Sequence, residues 1–101
     1  MPRFVVERTY TVALDGMPAV GKRSREVRNE GFPEIIWEHS HVVVSDDGTV
    51  KSFCIYDAPS TEMVREHADA LGWHTVNAIY EIAGDVTPED FPLDEDSLAP
   101  A

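Results

Sequence analysis

Asp46-Asp47-Gly48 stands between two apolar runs, Ile35–Ser45 and Thr49–Asp57, both rich in β-branched and aromatic residues. Glycine after aspartate takes the positive φ that a tight reversal needs, so the two runs are expected to pair as antiparallel strands. Asp57-Ala58-Pro59-Ser60 ends the second run, because Pro59 has no amide to give a ladder and Ser60 can cap the free amides of a following helix. Glu62 puts a carboxylate in the electropositive first turn of that helix. Val64, Ala68 and Leu71 recur at i, i+4 and i+7 beside Met63, and Gly72 suits a left-handed stop.

Outside this unit, Arg3–Val12 alternates as a strand, with Phe4, Val6, Tyr10 and Val12 on one side and Val5, Glu7, Thr9 and Thr11 on the other. Pro18 suits the first position of a helix over Ala19–Asn29, whose apolar spacing is Val20, Ser24, Val27 and whose Gly21 costs about 1 kcal/mol against alanine. Lys22, Arg23, Arg25 and Arg28 read as its solvated face, and Gly31 with Pro33 closes it. A fourth strand is expected over Val76–Ala83, with Val76, Ala78, Tyr80 and Ile82 facing one way and Asn77, Ile79 and Glu81 the other.

The order β-α-β-β-α-β predicts a ferredoxin-like α+β sandwich over residues 1–84, a four-stranded antiparallel sheet with two helices on one face. The other sheet face is then apolar and unprotected, and a second copy packing there would give a homodimeric α+β barrel. Residues 85–101 are acidic and proline-rich, too poor in apolar side chains to offset their ordering entropy, and read as a flexible tail.

The 19 acidic and 8 basic residues give a formal charge of −11, which repels nucleic acid and anionic membrane surfaces. One cysteine excludes an internal disulfide framework and fits a reducing cytoplasm. No apolar run approaches the roughly 18 residues of a membrane span, and no basic-then-apolar leader opens the chain. A soluble cytoplasmic protein is the expectation.

Four histidines are the candidates for chemistry. His39 and His41 lie two apart on one strand, so both imidazoles project from one face, with Trp37 and Val43 unless a bulge intervenes. Two such rings can reach one divalent ion. His67 flanks the apolar stripe of the second helix, and His74 follows Gly72 and Trp73 in a connection. Cys54 alternates with Phe53 and Ile55; isolated strand cysteines usually behave as small buried hydrophobes. CxxC, HExxH, a phosphate-binding glycine loop and a dinucleotide fingerprint are absent from the sequence.

Taken together, SDDG, FCIYDAPS, EMVREHADALG and IYEI resemble a family of small bacterial nickel-binding proteins, formerly an uncharacterised domain family, over roughly Pro2–Ile82. The resemblance implies a ferredoxin-like fold, a dimeric assembly, and metal coordination first at His39 and His67, with His41 and His74 as further candidates. Trp73 and Thr75 depart from the family pattern around the downstream histidine, and Glu7-Arg8-Thr9 stands where a histidine-containing stretch belongs. Imidazole suits nickel, zinc or copper, so nickel is the first expectation and zinc the second. The competing expectation is a small-molecule enzyme of isomerase, cyclase or cofactor-free oxygenase type. There His39 or His41 would be the general base, in a pocket lined by Trp37, Cys54, Tyr56 and Tyr80.

Overall fold

A computed structural model describes residues 1–93 of the chain. Six main elements follow in order: β1 (Arg3–Tyr10), α1 (Met17–Gly31), β2 (Ile36–Val44), β3 (Val50–Asp57), α2 (Thr61–Leu71) and β4 (His74–Glu81). The strands form one antiparallel sheet in the spatial order β2-β3-β1-β4. The fold is the ferredoxin-like α+β arrangement, with β1 and β3 central and β2 and β4 at the edges.

The hairpin between β2 and β3 closes as its residues dictate. Gly48 has φ +88° and its amide donates to the Ser45 carbonyl at 2.8 Å, while the Asp47 carboxylate accepts from the Thr49 amide at 2.9 Å. At the start of α2 the Ser60 hydroxyl accepts from the Met63 amide at 3.2 Å, and at its end Gly72 turns with φ +69°. β1 and β3 alternate strictly. Phe4, Val6, Cys54 and Tyr56 point toward the helices and form a core with Ile35, Ala58 and Val64, each of these worth about 1.5–3 kcal/mol when large and fully buried. Tyr10, Val20 and Val50 make a second cluster at the other end of the sheet.

Both edge strands depart from regular alternation. On β2, Trp37 faces Tyr56 and His39 faces Ile55, so Glu38 is an inserted residue. On β4, Ala78 faces Glu7 and Val76 faces Arg8, so Asn77 is inserted in the same way. The alternation expected for β4 therefore breaks at Asn77: Val76 and Ile79 pack on the core, and Ala78 and Tyr80 turn to the opposite face.

The two helices are tied together by Arg23 of α1. Its Nε donates to the Leu71 carbonyl at 2.7 Å and Nη2 to the Ala70 carbonyl at 3.2 Å, at the negative end of α2, and its guanidinium lies 5.1 Å from the Trp73 ring centre. This basic side chain, expected on a solvated face, is a helix clamp. Arg23→Ala is expected to lower stability by about 1–2 kcal/mol in urea denaturation, with the slope against urea unchanged.

Residues 85–93 are all exposed and include a 3₁₀ turn at Pro88–Asp90 in which the Thr87 amide donates to the Asp90 carboxylate. The rest of the expected flexible tail lies outside the described residues. Among the described residues no helix is long and apolar enough to cross a membrane.

Candidate functional site

His39 and His41 stand opposite Ile55 and Phe53 of β3, residues that point away from the helices. Their rings are therefore on the open face of the sheet, with centres 5.2 Å apart and planes at 85°. The insertion of Glu38 separates them from Trp37, which sits on the helix side and donates its indole N–H to the Ser40 hydroxyl at 2.9 Å. Open-face neighbours are acidic. Arg3 holds Glu38 at 2.7 and 3.1 Å and Asp85 at 2.6 Å, with Asp57 at 3.6 Å, so three carboxylates share one cation beside His39. Arg3 keeps the Glu38 carboxyl down, at about 2, while Glu38 raises Asp57 from its ordinary value.

His67 lies inside the apolar stripe of α2 rather than at its flank, 1% exposed with Val64, Ala68 and Leu71. Phe32 and Tyr56 meet its ring edge-on, with centres 5.5 and 5.7 Å away, and its Nε2 is 3.4 Å from the Ser24 carbonyl. Donation to that carbonyl leaves the lone pair on Nδ1. Burial, reinforced by the charge of Arg8, lowers its pKa to about 4, so the ring is neutral at physiological pH. His74 is half-buried at the start of β4, with Nδ1 2.6 Å from the Gly72 carbonyl and its ring 5.7 Å from that of Tyr10. Burial lowers its pKa as well.

A groove of about 490 Å³ follows the free edge of β2 beside α1. Glu38 and His39 border it from the open-face side and Trp37, Tyr56 and His67 from the helix side. His39 and His67 thus border the same groove from opposite faces of the sheet. Among the described residues no three His, Cys, Asp or Glu side chains group as one metal ion would need.

A second cavity, of about 230 Å³, lies between the sheet and the helices. Trp37, Cys54 and Tyr56 line it; Tyr80 does not, being 62% exposed on the opposite sheet face because of the insertion at Asn77. Cys54 is buried, 3.2 Å from the Ser52 hydroxyl, which in turn is 2.7 Å from the Tyr10 hydroxyl. At the wall of this cavity is a residue that motif reasoning passed over, Arg8, 1% exposed. The signal was available: strict alternation in β1 puts position 8 on the inward face between Val6 and Tyr10.

Comparisons with known proteins bear on this geometry. Residues 4–82 match the family model described as nickel responsive protein SCO4226-like. The crystal structure of SCO4226 from Streptomyces coelicolor A3(2) superposes with a TM-score of 0.61, at 17% identity over 83% of this chain and 99% of that one. The solution structure of the C-terminal domain of MgtC from Mycobacterium tuberculosis does so with a TM-score of 0.56, at 10% identity over 83% of this chain and 88% of that one. At these identities the likeness shows the fold. No curated protein sequence matches the chain significantly. The family model spans the whole ferredoxin-like unit, from the first core residue of β1 to the end of β4, and the chain belongs to the nickel-responsive SCO4226-like family.

Proposed function

We propose that the protein binds nickel through the paired imidazoles of His39 and His41 on the open face of the sheet, and that a second copy of the chain covers that face and completes the coordination shell. The observation that carries this reading is the pair itself: two rings 5.2 Å apart, on a surface where three carboxylates outnumber their one cation, in a family described as nickel responsive. Imidazole nitrogens suit nickel, with zinc next, and an acidic surround raises the local concentration of either cation. Two ligands from one chain leave the shell open, and a twofold partner doubles them. The open face also exposes Val43 at 39%, next to His41, which a face-to-face dimer would bury.

Isothermal titration of nickel into the metal-free protein, with sedimentation run alongside, tests this. Nickel is expected to bind tighter than about 100 μM with no more than one ion per chain, and His39→Ala and His41→Ala are each expected to weaken it by about tenfold or more. His67→Ala should change it by less than about threefold, because that ring is inside the core. Absence of heat at that concentration, or indifference to both open-face substitutions, would reject the reading. For the enzyme alternative, neither His39 nor His41 lines the cavity between sheet and helices, and His39 reaches only the groove along β2, with Trp37 and Tyr56 but without Cys54 or Tyr80.

A further inference from the structure

Arg8 is a full positive charge inside the protein with nothing to balance it. It is 1% exposed, its Nε and Nη2 have no hydrogen-bond partner, and among the described residues it forms no salt bridge. The Tyr56 ring centre is 5.3 Å from its guanidinium carbon, and the Tyr10 hydroxyl lies within side-chain hydrogen-bonding reach of the guanidinium. Desolvation opposes the charge of Arg8, while Tyr56, Cys54 and Tyr10 favour it once ionised, which holds its pKa up. At neutral pH the two phenols are uncharged, because burial raises both, and they supply no counter-ion.

The unpaired atoms matter for what could bind. Nε and Nη2 are the two donors on one side of the guanidinium, the fork that meets both oxygens of a carboxylate at once; both are closed off from water, so a carboxylate reaches them only as the side chains around them give way. Arg8 lines the cavity of about 230 Å³ between sheet and helices. Tyr10 and Ser52, whose hydroxyls are bonded to each other at 2.7 Å, line it too, and the remaining wall is largely apolar, with Val20, Val42 and Leu71. The volume is below the roughly 300–1,000 Å³ of pockets that hold drug-sized ligands.

We infer that this cavity is a binding site for a small monocarboxylic acid with an apolar body, its carboxylate held by Arg8 and its hydrocarbon part against Val20, Val42 and Leu71. A single buried cation balances a single negative charge. A phosphate dianion would bring a second, unbalanced charge into a protein whose formal charge is already −11. The site lies on the helix side of the sheet, away from the His39 and His41 rings, and does not rest on the nickel reading.

The test is a titration of the full chain, kept metal-free with EDTA, with sodium benzoate, the neutral isostere benzamide and inorganic phosphate in parallel at constant ionic strength. Binding is read by amide NMR shifts and by the emission of Trp37, which lines the cavity. Benzoate is expected to saturate and to shift the amides of Tyr10, Ser52 and Cys54, with benzamide and phosphate at least tenfold weaker. Arg8→Gln and Arg8→Met are expected to weaken benzoate at least tenfold while keeping the wild-type circular dichroism spectrum. The pair of variants guards against one failing to fold. Equal binding of benzoate and benzamide, retention of benzoate by a folded Arg8 variant, tighter binding of phosphate, or no saturation by about 20 mM would each overturn the assignment.

Discussion

Replacing Arg8 by methionine is expected to make the ligand-free protein more stable, by about 1–4 kcal/mol, the range seen when a buried ion pair is exchanged for well-packed apolar side chains. A buried guanidinium without a counter-ion forfeits its hydration and regains little from the Tyr56 ring face, whereas a thioether of similar length fills the same space without that cost. In a domain of this size the gain would raise the melting temperature by at least about 4 °C. The companion measurement is benzoate at saturation, which should raise the melting temperature of the wild type and leave Arg8→Met unmoved. A methionine variant that melts below the wild type would show that Arg8 is compensated in the folded chain, and the carboxylate site would lose its physical motive.

The second large effect is loss of stability in mild acid, centred on His67. Its pKa is about 4 in the folded protein against about 6.5 when exposed, so between these values the unfolded chain binds the proton that the folded one excludes. Stability therefore rises with pH through this window and is lost as pH falls from about 6.5 toward 4; above 6.5 the ring is neutral in both states and contributes no pH dependence. At about 1.4 kcal/mol per pH unit, reduced for solvent screening, the loss is on the order of 2 kcal/mol. His67→Phe keeps an aromatic ring against Phe32 and Tyr56 but cannot titrate. Urea denaturation at pH 7 and pH 4.5 should show the wild type losing about 2 kcal/mol more than His67→Phe over that interval. Parallel pH profiles for the two proteins would remove His67 as the source.

Much of the fold was legible because local chemistry and long-range packing agree. The glycine turn at Gly48, the Ser60 cap and the Gly72 stop each have a backbone reason that needs no knowledge of the rest of the chain, and β1 and β3 alternate without interruption. The edge strands were harder, since an inserted residue leaves no mark in a pattern of apolar and polar positions. Glu38 and Asn77 move Trp37 and Tyr80 away from the companions that simple alternation assigns them. Histidine is usually kept near water, which places His67 at the flank of the stripe; its position at i+3 from Val64 in fact puts it inside, with Nε2 3.4 Å from the Ser24 carbonyl. Arg8 interrupts the apolar pattern of an inward face, so alternation of apolar positions alone does not reveal it. The charge that makes it chemically conspicuous is what removed it from the pattern.

The placement of the two insertions has a consequence for how copies of this chain can meet. A straight, bare outer strand is a template on which another chain can extend the ladder without limit, which is the route to fibres. Here both rims of the sheet carry a kink, at Glu38 and at Asn77, which interrupts the evenly spaced row of amides and carbonyls that such growth requires. Growth along the rims is thereby disfavoured, and the face-to-face dimer proposed above would close after two molecules instead of propagating.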